Sequence, residues 1–165
     1  MKGKDLEKAR KLILKEWQDS LFGENFRPVI EIREYLEKCT TGIVSAVIKL
    51  YSGKKADELE GALDDFMRFL ATDKNLGPGQ AVMTIINLKN IIYDIFPEMS
   101  LKDYRKLDKV IDNVASMAFD MYSSLREELF ELRLMEKEKE KRMLERSIEL
   151  TLEDQEFYDN LRIRR

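Results

Sequence analysis

Apolar residues recur every three or four positions along most of the chain, and no segment alternates strictly between apolar and polar residues. The first pattern places apolar side chains on one face of an α-helix, whereas strict alternation would indicate a β-strand. The sequence therefore predicts an all-α fold. The pattern divides into five helices, over roughly 5–22, 28–50, 57–75, 78–95 and 101–150.

Glycine and proline mark most of the boundaries between these helices. Gly23 suits the end of the first helix, because glycine readily adopts the left-handed conformation that ends helices. Pro28 suits the first turn of the second helix, and Gly77 before Pro78 suits the start of the fourth. Thr40, Thr41 and Gly42 all have low helix propensity, so we expect the second helix to bend or divide there.

Three pairs of residues resemble capping boxes, in which an N-cap side chain precedes an acidic residue by three positions. They are Asp57 with Glu60, Ser100 with Asp103, and Thr151 with Asp154. The first two predict the starts of the third and fifth helices. The last predicts a break and a short further helix that carries Phe157 and Tyr158.

The last helix is the most unusual element, because no proline or glycine follows Ser100. Nine of the eleven residues from Glu136 to Arg146 are charged, so this stretch cannot form a core of its own. We interpret it as a stem that reaches a second copy of the chain, since a row of apolar residues precedes it at coiled-coil spacing. The residues predicted for dimerisation and relay are Tyr122, Leu125, Leu129, Leu132 and Met143. The alternative is a solvated helix that frays after Leu132.

The composition limits the cellular compartments and the partners that are expected for this protein. The formal net charge is -3, from 32 acidic and 29 basic residues mixed along the chain, so neither nucleic acid nor membrane is an expected partner. The first residues, MKGKDLEKARK, lack the apolar region of a signal peptide, and no window approaches the roughly 18 apolar residues of a membrane span. A single cysteine, Cys39, fits the cytoplasm and a place in the core.

Histidine is absent from the chain, which excludes several kinds of chemistry. Haem bound through an imidazole, zinc sites with histidine, and histidine acting as a general base all require this residue. Adjacent Asp64 and Asp65 point about 100° apart on a helix, so they do not form a catalytic pair. We therefore expect no enzyme activity, no bound metal and no cofactor.

Methionines and aromatic residues are dense in the first 125 positions, and most of them, including Met83, are expected in the core. The alternative is that this adaptable packing surrounds a pocket for an apolar small molecule such as a fatty acid. The residues predicted to line such a pocket are Phe66, Phe69, Ile85 and Phe119.

Two blocks carry a family resemblance: ALDDFMRFLATDKNLGPGQAVMTIINLKNII (Ala62–Ile92) and LDKVIDNVASMAFDMYSSLREELFELR (Leu107–Arg133). They resemble the RsbRD N-terminal domain family, the sensor domain of co-antagonist proteins of the bacterial stressosome and of some kinases. The resemblance covers roughly residues 8–135. It implies a globin-like fold that senses without haem, a homodimer, and a last helix that leads to an output domain or signalling partner.

These observations lead to one main hypothesis and two alternatives. The main hypothesis is a globin-like sensory and dimerisation module in bacterial signal transduction, with a sensor domain over 1–133 and a helical stem and short C-terminal segment over 134–165. Its mechanism is a packing change relayed through the last helix. The alternatives are a small-ligand-binding protein and an adaptor that docks on a larger signalling assembly through its stem.

Overall fold

A computed structural model describes residues 3–23, 30–73 and 75–163 of the chain. It contains five helices: α1 (Gly3–Phe22), α2 (Ile30–Tyr51), α3 (Leu59–Ala71), α4 (Pro78–Ile95) and α5 (Leu101–Ile163). Within the described ranges there is no β-strand. The prediction of an all-α fold with a long C-terminal helix is therefore confirmed.

The chain forms two compact units, Met1–Leu125 and Arg126–Arg165. The first, here called the body, contains α1 to α4 and the beginning of α5. The second, here called the stem, consists of the rest of α5. The predicted domain boundary after Arg133 stays a prediction.

The core of the body draws its largest side chains from all five helices. Trp17 is completely buried, and its indole Nε1–H donates a hydrogen bond to the carbonyl oxygen of Thr84 at 2.9 Å. Its ring centroid lies 5.8 Å from that of Phe66, which is also fully buried. The other large buried side chains are Leu6, Ile13, Leu36, Ile43, Tyr51, Leu63, Met67, Ile85, Leu88 and Tyr122. Trp17 thus joins α1 to α3 and α4.

Several predicted helix ends are confirmed. Gly23 has a φ of 65°, and its N–H donates a hydrogen bond to Asp19 O at 3.0 Å, which ends α1. Gly77 is the N-cap of α4, and its N–H donates to Gln80 Oε1 at 3.0 Å. At the start of α5 the Asp103 N–H donates to Ser100 Oγ at 3.3 Å, as a capping box requires. The predicted role of Pro28 lies outside the described residues.

The predicted division of α2 is wrong, because the helix is continuous from Ile30 to Tyr51. Thr40 is fully buried, and its hydroxyl donates to Leu36 O at 2.7 Å inside the helix. The same hydroxyl oxygen accepts a hydrogen bond from Gln18 Nε2 of α1 at 2.8 Å. These contacts between α1 and α2 outweigh the low local helix propensity.

Two predicted capping boxes are not formed. The third helix begins at Leu59, and its N-cap is Glu58, which makes no side-chain capping hydrogen bond. The predicted break at Thr151 is wrong, because α5 continues to Ile163. The Thr151 hydroxyl donates to Ser147 O at 2.9 Å, within the helix rather than across its start. A threonine followed by acidic residues is compatible with both arrangements.

The predictions of which side chains are buried are only partly confirmed. Cys39 is 1% exposed, and burial raises the pKa of its thiol, so its predicted place in the core is confirmed. The expected burial of Met83 is wrong, since this side chain is 55% exposed, and the Ile32 side chain of α2 is also 39% exposed. Both lie on helices whose other faces already supply the core, so the body buries only part of the apolar surface of each helix.

A close approach of α2 and α3 provides a stability test at Gly42. A Cβ atom at this position would lie 2.7 Å from Ala62 Cβ, whereas a Cβ at Gly61, also within a helix, would meet nothing within 4 Å. We expect Gly42→Ala to lower the free energy of unfolding by about 1 kcal/mol, because overpacking outweighs the gain in helix propensity. Gly61→Ala should raise it by roughly 0.5–1 kcal/mol. Urea unfolding followed by circular dichroism measures both, and an equal gain for Gly42→Ala would contradict the close helix contact.

Candidate interaction surface

The stem exposes an unusual number of large apolar side chains. Every described side chain from Phe130 to Leu152 is exposed. Nine large apolar residues in this stretch are 46% to 63% exposed: Phe130, Leu132, Leu134, Met135, Met143, Leu144, Ile148, Leu150 and Leu152. Single exposed apolar residues are ordinary, but a helix that carries this many offers a surface for another protein.

Most of these side chains fall into two rows along the stem helix. In the first row, Leu129, Met143 and Leu150 are separated by multiples of seven residues, and Leu132 follows Leu129 by three. This spacing is that of the a and d positions of a coiled-coil heptad. The second row contains Phe130, Leu134, Leu144 and Ile148, which repeat at a similar spacing on another face. Charged residues interrupt both rows, the first at Glu136, Lys139 and Arg146 and the second at Lys137 and Lys141.

Local interactions give the stem helix little support. Arg142 Nη2 lies 3.5 Å from Glu138 Oε2, and Lys141 Nζ lies 3.7 Å from Glu145 Oε1. These four side chains are 56% to 76% exposed, and such pairs contribute only a few tenths of a kcal/mol each. Helices in proteins owe most of their stability to the packing of an apolar face. Among the described residues, the apolar side chains from Phe130 to Leu152 have no such packing, because all of them are exposed.

The five residues predicted for dimerisation and relay divide between body and stem. Tyr122 is fully buried and Leu125 is 4% exposed, so both belong to the core of the body. The Tyr122 hydroxyl donates a hydrogen bond to Leu76 O. Leu129 is half-buried, whereas Leu132 and Met143 are 55% and 63% exposed. Only the last three are therefore candidates for contact with a partner.

Leu150 belongs to the same row and was not among the predicted relay residues. Its separation of seven residues from Met143 was visible in the sequence. Because a helix break was predicted next to it, at Thr151, Leu150 was not counted as part of the row. The structure shows α5 continuing past it and leaves the Leu150 side chain 55% exposed.

The four residues predicted to line an apolar pocket have different environments. Phe66 and Ile85 are completely buried, and Phe69 is half-buried. Phe119 is 47% exposed, so its expected place in the core is wrong: Ala118, one position earlier, is the residue that faces inward. Two cavities whose walls lie within the described residues are lined by none of these four side chains.

The larger of these two cavities has a volume of about 660 Å³ and lies where α1, the end of α2 and the start of α5 meet. Its walls include four lysines, at positions 4, 49, 54 and 106, and the acidic residues Glu7 and Asp103. The Tyr51 hydroxyl donates to Asp103 Oδ1 at 2.8 Å, and burial followed by this hydrogen bond raises the pKa of Tyr51. A cavity lined by these charged side chains does not suit an apolar acyl chain. The smaller cavity, of about 390 Å³, is lined by 95–99 and Asp5.

A polar cluster that the sequence did not reveal joins α4 to α5 within the body. Lys89 Nζ lies 3.1 Å from Asp108 Oδ1 and 3.5 Å from Asp112 Oδ1, and the Tyr93 hydroxyl donates a hydrogen bond to Asp108. The hydrogen bond from Tyr93, together with Lys89, lowers the pKa of Asp108. The positions of these residues, one helical turn apart on each helix, suit a contact that holds α5 on the body.

In the part of the chain that the structure describes, no group of three or more cysteine, aspartate or glutamate side chains is arranged to hold a metal ion. No described helix has both the length and the apolar character to cross a membrane.

Comparison with known proteins identifies a relative in an archaeon. An uncharacterized protein of Archaeoglobus fulgidus is 38% identical to this chain over 138 residues, which covers 82% of this chain and 89% of the archaeal protein. The chain belongs to the same family as this archaeal protein. Because the body ends at residue 125, a match of this length includes part of the stem. No family model matches the chain, and no solved structure matches it.

Proposed function

We propose that this protein is a sensory and dimerisation module of signal transduction, in which α5 relays a change in the packing of the body to a second copy of the chain. The observation that carries this proposal is the apolar row of the stem, formed by the half-buried Leu129 and the exposed Leu132, Met143 and Leu150. A row at heptad spacing on a helix without a core of its own is typical of helices that pair.

A single helix supplies both the core of the body and the apolar row. Leu107, Ile111, Val114, Ala118 and Tyr122 of α5 are all completely buried in the body. Because packed cores switch between discrete arrangements rather than deform continuously, a signal that repacks the body would move α5 as a unit. The same motion would change the register or angle at which the stem meets its partner.

The resemblance to the RsbRD N-terminal domain family predicts the same role and a globin-like arrangement of the body. Since no family model matches the chain, this assignment stays a prediction. The archaeal relative is uncharacterized and adds no evidence on function. We propose no catalytic activity, because the chain has no histidine and no recognisable nucleophile with its base.

The proposal is tested by the mass of the intact protein in solution. Multi-angle light scattering at tens of micromolar should give about 39 kDa, twice the 19.5 kDa of one chain. A mass near 19.5 kDa over this concentration range would show that the apolar row does not join two copies. The same measurement after dilution yields the dissociation constant needed for the variants described below.

The two alternative functions stay predictions. An apolar ligand finds no support in the two described cavities, one of which is lined by four lysines. An adaptor would dock through the stem and through Phe157 and Tyr158, whose side chains lie outside the described residues. An apolar row on the stem suits an adaptor as well, but the heptad spacing favours a helical partner of matching repeat.

A further inference from the structure

The charged residues that interrupt the first apolar row occupy its own heptad positions. Counted in sevens from Leu129, the a positions are Leu129, Glu136, Met143 and Leu150. The d positions, counted from Leu132, are Leu132, Lys139 and Arg146. A helix that pairs through this row must therefore place Glu136, Lys139 and Arg146 close to its partner. Their signs determine which orientation of the partner is favourable.

A parallel pair in register would be opposed by these charges. In that arrangement each a or d residue faces the same residue of the other copy. Glu136 would face Glu136, Lys139 would face Lys139, and Arg146 would face Arg146. Like charges brought together away from water disfavour each other and are not compensated by a partner of opposite sign. The stem would thus have three unfavourable layers within the eleven residues from Glu136 to Arg146.

An antiparallel pair removes this conflict, because each a residue then faces a d residue of the other copy. If Leu132 packs against Met143, Glu136 faces Lys139. If the helices are shifted by one heptad so that Leu132 packs against Leu150, Glu136 faces Arg146. Both registers set a carboxylate opposite a cation and contain no layer of like charges. The remaining cation faces an apolar residue: Arg146 faces Leu129 in the first register, and Lys139 faces Met143 in the second.

The second apolar row offers no such solution for pairing between two copies. Lys137 and Lys141 interrupt it at its own heptad positions. In a parallel pair each of them faces itself. In the antiparallel register that packs Phe130 against Ile148 and Leu134 against Leu144, Lys137 faces Lys141. Charge complementarity therefore selects the first row as the contact between copies.

We propose that the stem pairs with the stem of a second copy in antiparallel orientation, with Glu136 of each helix opposite Lys139 or Arg146 of the other. The described stretch from 126 to 152 provides almost four heptads, roughly 40 Å of helix, for this contact. The inference rests on the proposed dimerisation and adds its geometry. The junctions between Leu125 and Arg126 of the two copies would lie at opposite ends of the pair.

Charge reversal in the full chain tests the predicted pairing. Glu136→Lys places three cations around the contact and should weaken dimerisation at least about tenfold. Adding Lys139→Glu and Arg146→Glu to this variant restores the opposite charges and should return the dissociation constant to within about threefold of the original. Glu131→Lys makes the same charge change at an exposed position outside the row and serves as the control. An equal effect of Glu131→Lys and Glu136→Lys, or no rescue, would overturn the proposal.

Distances between spin labels test the orientation directly. Cys39→Ala removes the native thiol, and labels are attached at Glu127→Cys or at Thr151→Cys, two exposed positions of the full chain. In an antiparallel pair, two labels at 127 should lie about 30–40 Å apart, whereas a label at 127 and one at 151 of the other copy should lie within about 25 Å. Short distances between identical sites would indicate a parallel dimer and overturn this inference alone. If no distance between labels on different copies were detected, both this inference and the proposed dimerisation would be overturned.

Discussion

Trp17→Ala is expected to lower the free energy of unfolding by about 4 kcal/mol, the largest effect that we predict for a single substitution. Trp17 is completely buried, packs against Phe66 and donates a hydrogen bond to Thr84 O. Alanine leaves both a large cavity and an unpaired buried carbonyl oxygen. Domains of this size have only about 5–15 kcal/mol of stability in total, so this loss is a large fraction of the free energy of unfolding.

The measurement is urea unfolding followed by far-ultraviolet circular dichroism, because the substitution removes the tryptophan fluorescence. Leu12→Ala in the same helix is the control, since Leu12 is 48% exposed and should cost less than about 1 kcal/mol. Trp17→Phe keeps a ring in the core but loses the N–H donor. Its loss of unfolding free energy should lie between those of Trp17→Ala and Leu12→Ala. Equal stability of Trp17→Ala and Leu12→Ala would show that α1 does not pack on the body through Trp17.

The second large effect is expected on association. Replacing Leu132 and Met143 together with aspartate should weaken dimerisation more than about 100-fold, because two apolar contacts become unpaired charges in the interface. These side chains are 55% and 63% exposed in the single chain, so their replacement should leave the body folded. Light scattering should report a monomer at concentrations where the original protein is a dimer.

A matched control is available on the body, where Leu12 and Met83 are 48% and 55% exposed. Replacing both with aspartate makes the same chemical change to residues of the same types and comparable exposure. We expect this control to remain a dimer. If it dissociated while the stem variant did not, copies would join through the body, and the proposed relay through the stem would be wrong.

The helix boundaries that could be predicted from the sequence are those set by strong local signals. Gly77 followed by Pro78 fixed the start of α4, and Ser100 with Asp103 fixed the start of α5. Where a tertiary contact competes with a local preference, prediction from sequence was wrong. The Thr40 hydroxyl receives a hydrogen bond from Gln18 of α1, and no local pattern around Thr40 indicates this partner.

The apolar periodicity identified most of the core but did not fix its limits. Phe119 and Ala118 are adjacent, and only the packing of the neighbouring helices decides that the small residue is buried and the large one exposed. Periodicity also continues without interruption from Tyr122, in the core, to Leu132, on the exposed stem. The sequence therefore predicted the apolar row of the candidate surface, whereas the point at which α5 leaves the core required the structure.

The burial of the only tryptophan has a practical consequence for following the two units separately. Indole emission reports the environment of α1, α3 and α4. It does not report on the stem, which contains no tryptophan. Ellipticity at 222 nm, by contrast, weights both units by their helix content. Recording the two signals during the same titration or melt would show whether pairing of the stems and the state of the body are coupled or independent.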